Sequence, residues 1–348
     1  MKLCVTGGGT GGHLMIAEAI VEAAKSRGHE AIFIGSTKGQ DRKYFEKDSL
    51  FDAVYFLETT GVVNQKGFAK LKALFKILKA FLHSRKILRK HGIDAVYSVG
   101  GFSAAPASFG SLSLRVPLFI HEQNAVTGRL NSLLKNYAVS FISAYDKASV
   151  IQGYPVKNIF YERAHLRNNL KTIIFLGGSH GARAINDLAL EVAKELANRG
   201  IKIIHQAGEA DYKRVEKMYA ELGISVELYA FTKELPKLIE KADMAVSRSG
   251  ASTLWELTTN GCPAFYVPYP YAAGDHQYYN AKFIVDHEMG WCEREGEDLK
   301  SALLSALDKP DLETKSKKLL AYCSHDVAQK MIEDVEAKVL QIKENNAT

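Results

Sequence analysis

Two doubly wound α/β domains, each built on a parallel sheet, are predicted for this 348-residue chain by three observations. A short apolar run passes into a glycine loop and then a helical pattern twice, about half a chain apart. The first is Lys2–Thr6 into Gly7-Gly8-Gly9-Thr10-Gly11-Gly12-His13, and the second is Thr172–Leu176 into Gly177-Gly178-Ser179-His180-Gly181. Along most of the chain, runs that read as buried strands alternate with helix-period segments, the pattern of parallel strands joined by crossover helices. Length is the third observation: one core rarely serves so many residues, so two domains are the natural division.

Taken in order, strands are expected at 2–6, 30–34, 94–99, 116–121 and 138–142, each a short run with Val, Ile, Phe or Tyr. Helices are expected near 14–27 and at 67–90, 104–113 and 126–136, with Gly28 and Gly92 where C-caps belong. The second half repeats the scheme, with strands at 171–176, 201–206, 225–229, 243–247 and 263–267. Its helices are expected at 182–198, 209–222, 232–241, 251–259 and 275–288, punctuated by Gly200, Gly223 and Gly261. The irregular stretch from Tyr161 to Asn169 reads as a linker, which makes the domains 1–162 and 163–310. The tail, 311–348, reads as helix, with Val327, Met331, Val335 and Val339 on one face suited to packing back on the first domain.

An apolar content of 47% with 24% charged residues fits a soluble globular protein. No apolar run approaches the ~18 residues of a membrane span. No charged leader or cleavage site precedes the first strand, so a protein retained in the cytoplasm is expected. The four cysteines are scattered and suit reduced core thiols. The net charge of +6 is concentrated: nine basic residues and no acidic one lie between Thr59 and Ile93, which leaves the remainder at −3. That segment sets Phe68, Phe75, Leu78, Phe81 and Leu82 at helical spacing among Lys72, Lys76 and Lys79, the make-up of a basic amphipathic helix on an anionic membrane. A crossover helix with a solvated lysine face is the plainer reading of the same pattern. No nucleic acid partner is expected, since no stacking platform or second basic patch accompanies it.

Strand, glycine turn and helix start together offer backbone N–H groups and a positive helix end to an anion. Gly7, Gly9 and Gly12 formally spell a dinucleotide fingerprint, but Gly35 and Ser36 follow the second strand where its ribose-binding acid belongs. Thr10 and His13 are then side chains at the lip of an anion nest, with His13 a candidate base. Gly100-Gly101 make a third glycine turn. His121-Glu122-Gln123-Asn124 end a strand with four polar residues that must bond one another or a ligand. In the second half, Arg248-Ser249-Gly250 leads into a helix start at Ala251-Ser252-Thr253-Leu254-Trp255-Glu256. Its N–H groups suit a diphosphate, and Glu256 suits the two ribose hydroxyls, although the helix dipole by itself also favours an early Glu. Asp275-His276-Gln277 opens a further helix. No DxD, Walker loop or metal-spaced cluster occurs, so the P-loop class drops out, and Gly177-Gly178-Ser179-His180-Gly181, which formally spells GxSxG, is read as an anion-binding turn and not as the elbow of a serine hydrolase. A departing diphosphate would be met by helix ends and N–H nests instead of a bound cation.

In order and spacing, Gly8-Gly9-Thr10-Gly11-Gly12-His13, Gly100-Gly101-Phe102, His121-Glu122-Gln123-Asn124, Gly177-Gly178-Ser179, Arg248-Ser249-Gly250-Ala251 and Gln277-Tyr278-Tyr279-Asn280-Ala281 resemble the MurG family of membrane-associated transferases. The likeness covers nearly the whole chain. It implies a GT-B-type fold of two Rossmann-like domains facing a central cleft. It also implies inverting transfer of GlcNAc from UDP-GlcNAc to the 4-hydroxyl of MurNAc in undecaprenyl-pyrophosphoryl-MurNAc-pentapeptide, in peptidoglycan synthesis. By that resemblance the donor meets Thr10, Gly11, Gly12, Asn124, Lys157, Ser179, Phe231, Thr232, Gln277 and the run Ala251, Ser252, Thr253, Leu254, Trp255 and Glu256. The acceptor would lie near His13, Gly100, Gly101, His121 and Glu122. No metal or other cofactor is implied; an anionic membrane surface and other cell-wall synthesis proteins are, with the enzyme peripheral on the cytoplasmic face of the inner membrane. Lys157 stands where the family has Arg, which puts bidentate phosphate contact there in doubt. His180 replaces a usual Gln, His276 also departs, and Met15-Ile16 lacks a common proline. The rivals are a UDP-GlcNAc 2-epimerase on the same scaffold and a GT-B glycosyltransferase with another lipid acceptor. The basic helix and the lack of extra carboxylates beside the glycine loops weigh against the epimerase.

Overall fold

The computed structural model describes residues 1–59, 67–178 and 181–347, with the side chains of 67–74 and 347 outside that description. Two compact units emerge. One is Met1–Pro155 with the segment from Asp326 onward, and the other is Val156–His325.

The first unit runs β1 Lys2–Thr6, α1 Gly11–Ser26, β2 Glu30–Ser36, α2 Asp41–Phe45, β3 Ala53–Leu57, α3 Gly67–His91, β4 Ala95–Ser98, α4 Ala105–Leu114, β5 Leu118–Glu122, α5 Arg129–Leu134 and β6 Ser140–Ser143. Its six strands are all parallel, in the order β3-β2-β1-β4-β5-β6. The second runs α6 Asn158–Glu162, β7 Thr172–Leu176, α7 Arg183–Asn198, β8 Lys202–Gln206, α8 Tyr212–Leu222, β9 Glu227–Tyr229, α9 Leu235–Lys241, β10 Met244–Ser247, α10 Ala251–Thr259, β11 Ala264–Tyr266, α11 His276–Asp286, β12 Trp291–Cys292, α12 Leu299–Asp308 and α13 Leu312–Tyr322. Its sheet is again parallel, ordered β12-β11-β10-β7-β8-β9. The final helix, α14 Val327–Ala347, belongs to the first unit.

The central strands are apolar on both faces because helices cover both: Leu3, Cys4 and Val5 are unexposed, as are Ile173, Ile174 and Phe175. Besides α6, β12 and α12 of the second unit, two elements of the first fall where the periodicity offered none. β3 is an edge strand with four of its five residues only half-buried, which blurs its alternation. α2 is a single short helix held by aromatic packing, with Phe45 4.7 Å from Phe33 and 5.0 Å from Phe51 between ring centroids.

The crossings between units at Val156 and Asp326 stand apart from the expected divisions at 162/163 and 310/311. The cause is that α6 and α13 both pack on α10 of the second unit. The single tail helix read from the sequence is two, broken where Asp326 takes a left-handed φ of 58°. Val327, Met331, Val335 and Val339 are buried, and α14 lies on α1. Around that seam Arg27 pairs with Glu336 at 2.6 Å and Glu333 at 3.1 Å. Exposed pairs of this kind add little, so the apolar face holds the helix.

In each sheet the strand order reverses at one point, between β1 and β4 and between β7 and β10, where doubly wound folds hold ligands outside the carboxyl ends. Those two points carry the glycine loops. Among the described residues, no helix is long and apolar enough to cross a membrane.

Candidate functional site

In the first unit, the loops after β1 and β4 interlock. A Cβ on Gly7, at φ +124°, would stand 2.4 Å from Gly100 O, and one on Gly101, at φ +81°, would stand 2.2 Å from Gly8 O. Only glycine fits either place. Between them the Gly8 N–H donates to Gly100 O at 3.1 Å. From below, the buried Asp41 carboxylate accepts the Gly9 N–H at 2.6 Å and the Ser36 N–H at 2.8 Å. An acid thus does approach this glycine loop, but it fastens the loop and comes from α2, not from the end of β2. No sequence signal marked Asp41, because its partners are main-chain groups that the fold brings to it.

α1 begins at Gly11, inside the glycine motif, so the first-turn N–H groups of Gly11, Gly12 and His13 lie outside the intrahelical ladder. The exposed Thr10 places its Oγ1 2.8 Å from His13 Nδ1, and Gln123 Nε2 lies 2.9 Å from His13 Nε2. Thr10, His13 and Gln123 therefore meet beside Gly100, where a Cβ would stand 3.3 Å from His13 Nε2. Gln123 was legible only as one of four polar residues; the fold makes it the partner of the candidate base.

His121 and Glu122, expected beside the acceptor, are both buried. His121 is unexposed with neither ring nitrogen partnered, and burial, then the charge of His13, pushes its pKa down to about 3. It is a neutral ring held edge-on to Tyr154 at 5.5 Å. Glu122 accepts from the Asn124 N–H at 3.0 Å, the Gly128 N–H at 2.8 Å and Asn131 Nδ2 at 2.9 Å. Its role is to shape the loop that presents the half-buried Asn124.

In the second unit, Ser179 and His180 lie outside the described residues. α10 follows β10 with Gly250 as an extended N-cap. The Leu254 N–H donates to Gly250 O at 3.0 Å, which leaves the N–H groups of Ala251, Ser252 and Thr253 at the helix's positive end. Leu254 and Trp255 turn into the core, with Trp255 6.1 Å from both Phe283 and Tyr322 between ring centroids. Helical periodicity thus points these two side chains inward. Glu256 is 8% exposed, and burial raises its pKa to about 7 against the opposing charge of Lys157, the N-cap of α6. Phe231, half exposed, and Thr232 lie on the loop leaving β9, where Thr232 Oγ1 accepts the Glu234 N–H at 2.9 Å. Gln277 is tied to the start of α10, since its carbonyl accepts the Ser249 hydroxyl at 2.7 Å. The residues expected at the donor therefore divide: Thr10, Gly11, Gly12 and Asn124 belong to the first unit, and Lys157, Phe231, Thr232, Ala251 to Thr253, Glu256 and Gln277 to the second.

On α3, Phe75, Leu78 and Leu82 are 70%, 52% and 49% exposed at helical spacing, with Lys79 beside them. Lys76 pairs with Glu58, and Phe81 is half-buried beneath Arg85 at 5.6 Å. The opposite face, with Ala80, Ser84, Ile87 and Leu88, is buried. The side chains of Phe68 and Lys72 lie outside the described residues. Among the described residues, no three His, Cys, Asp or Glu side chains gather into a metal-binding group.

The model of the glycosyltransferase family 28 N-terminal domain matches residues 3–142, and that of the family's C-terminal domain matches residues 172–338. The chain belongs to glycosyltransferase family 28. This family 28 enzyme is 68% identical over 335 residues, 96% of its length, to a Sulfurimonas denitrificans protein, covering 98% of that protein. A Wolinella succinogenes protein is 52% identical over 331 residues, 95% of this chain and 98% of that one. Both carry the name UDP-N-acetylglucosamine–N-acetylmuramyl-(pentapeptide) pyrophosphoryl-undecaprenol N-acetylglucosamine transferase. Among solved structures, MurG of Acinetobacter baumannii superimposes with a TM-score of 0.80 at 25% identity, over 97% of this chain and 99% of that one. Two Rossmann-like units in a GT-B fold are thereby established for the family 28 enzyme.

Proposed function

We propose that this enzyme transfers N-acetylglucosamine from UDP-GlcNAc to the 4-hydroxyl of the MurNAc unit in undecaprenyl-pyrophosphoryl-MurNAc-pentapeptide. The observation that carries the reading is the 68% identity, over nearly the full length of both chains, to a relative named for that transfer. The site chemistry supports it. In one displacement the acceptor oxygen bonds to the anomeric carbon, the bond from that carbon to the diphosphate breaks, and the configuration inverts. The departing UDP carries off the electron pair, and its charge is met by the N–H groups that start α10. Glu256 accepts the ribose hydroxyls, Gln277 meets the sugar, and His13 takes the acceptor's proton. Purified enzyme given radiolabelled UDP-GlcNAc, a short-chain acceptor analogue and EDTA is expected to move label into the lipid product. Label that stays water-soluble, as free sugar or as an epimer, sinks the transferase reading; transfer abolished by EDTA sinks the metal-free account of the leaving group.

The lipid acceptor calls for a membrane surface, and the exposed apolar stripe of α3 with its lysines suits one, as a peripheral contact on the cytoplasmic leaflet. Replacing Phe75 and Leu82 together by Ser is expected to weaken sedimentation with phosphatidylglycerol vesicles about tenfold while leaving UDP affinity unchanged. Equal vesicle binding by this variant and the wild type overturns that surface assignment.

A further inference from the structure

The Arg248 side chain takes no part in the donor contacts above, yet it is only 15% exposed and is held from several directions. Nη1 donates to Val267 O at 3.0 Å and to Pro268 O at 3.1 Å, and Nη2 pairs with Glu295 at 2.5 Å. The guanidinium carbon lies 5.5 Å from the centre of the Tyr269 ring. Arg248 therefore grips the main chain that leaves β11, and the Tyr269 ring caps the grip. The next link is the Tyr269 N–H, which donates to Gln277 Oε1 at 3.0 Å. A main-chain N–H can only donate, so this bond fixes which end of the Gln277 amide faces it. The other end, Nε2, lies 4.0 Å from where a Cβ on Gly250 would stand, over the N-cap of α10.

We propose that Arg248 is a positioning residue for sugar recognition. By pinning Val267 to Tyr269, it holds the Gln277 amide with its N–H2 turned toward the oxygens of the sugar on the diphosphate. The inference rests on the donor reading above and names what orients one of its contacts. Lysine cannot replace this function, since an ammonium lacks the planar fork that reaches two carbonyls and a carboxylate while stacking on a ring.

The test separates the sugar from the nucleotide. UDP probes the start of α10, whereas UDP-GlcNAc also probes Gln277. For Arg248→Lys, UDP affinity is expected to stay within about twofold of wild type while KM for UDP-GlcNAc rises about tenfold, with a smaller change in kcat. The double variant with Gln277→Ala is expected to be no worse than Gln277→Ala by itself, because the two changes act on one contact. Parallel weakening of UDP and UDP-GlcNAc overturns the proposal, as does an unchanged KM or an additive double variant. If Arg248→Lys does not fold, Glu295→Gln loosens the same grip; its KM is expected to rise about threefold at constant UDP affinity, and an unchanged KM counts against the proposal. A wild type that binds neither UDP nor UDP-GlcNAc overturns the donor reading and this inference with it, whereas sound donor binding with an indifferent Arg248 sinks the inference only.

Discussion

Glu256→Gln is expected to lower kcat/KM for UDP-GlcNAc about a hundredfold, almost wholly through KM. A carboxylate at the start of α10 can accept both ribose hydroxyls, and charge-assisted bonds in a buried place are worth about 1.5–3 kcal/mol each. An amide of the same shape accepts through one oxygen only. The pH dependence provides a sharper check. Burial holds the Glu256 pKa at about 7, above the ordinary carboxyl value of 4.5, so the empty site is partly protonated at neutral pH. Hydroxyls donated to the charged form favour it, so donor binding must release a proton. Affinity for UDP-GlcNAc is therefore expected to improve as pH rises from 6 toward 7 and to flatten above it. Calorimetry in buffers of different ionisation enthalpy reads the released proton directly. Glu256→Gln should show neither the slope nor the release, and a wild type with pH-independent affinity would remove Glu256 from the ribose.

The same shift makes a stability statement of opposite sense. The folded-state pKa is raised, so between pH 4.5 and about 7 the unfolded chain gives up this proton first, and stability falls across that window. Above it the penalty is complete, at up to about 3 kcal/mol. The empty Glu256→Gln protein is accordingly expected to melt higher than wild type at pH 8. The group that weakens the ligand-free enzyme is the one proposed to bind its donor.

His13→Ala is expected to lower kcat about 100- to 1000-fold, within the usual range for a positioned acid or base, with UDP affinity unchanged. The residues proposed for the donor diphosphate and ribose lie in the second unit, whereas His13 is in the first turn of α1 in the first, so its loss should leave nucleotide binding intact. The ring is held from both sides, by Thr10 at Nδ1 and Gln123 at Nε2. Thr10→Ala is therefore expected to follow in the same direction with a smaller loss. A kcat within a few-fold of wild type in His13→Ala would move the base to another residue.

Much of this was legible before any fold was known. The two glycine loops, their strands and their helices announce a pair of parallel sheets, and order with spacing carries the family. Within the candidate site, Thr10 and His13 stand out because each directly follows a glycine of the loop after β1, and Glu256 because it lies one turn into a helix capped by Gly250, whereas the role given to Gln277 comes from the resemblance. Asp41, Gln123 and Arg248 were not readable in their roles. Asp41 binds main-chain donors from two other segments, Gln123 acts on a ring far away in sequence, and Arg248 reaches across to the loop after β11.

What the sequence determined by itself is local and periodic: apolar runs that demand burial on both faces, glycines where a turn needs a left-handed backbone, and helix starts that leave N–H groups open. Packing between distant segments settles which of those groups are already satisfied. Glu122 is consumed by its own loop and the side chains of Leu254 and Trp255 by the core, whereas the buried His121 keeps both ring nitrogens unpartnered and Glu256 keeps a raised pKa. Satisfaction depends on partners that are neighbours in space but distant in sequence, and a buried polar group with its bonds already made has nothing left to offer a ligand.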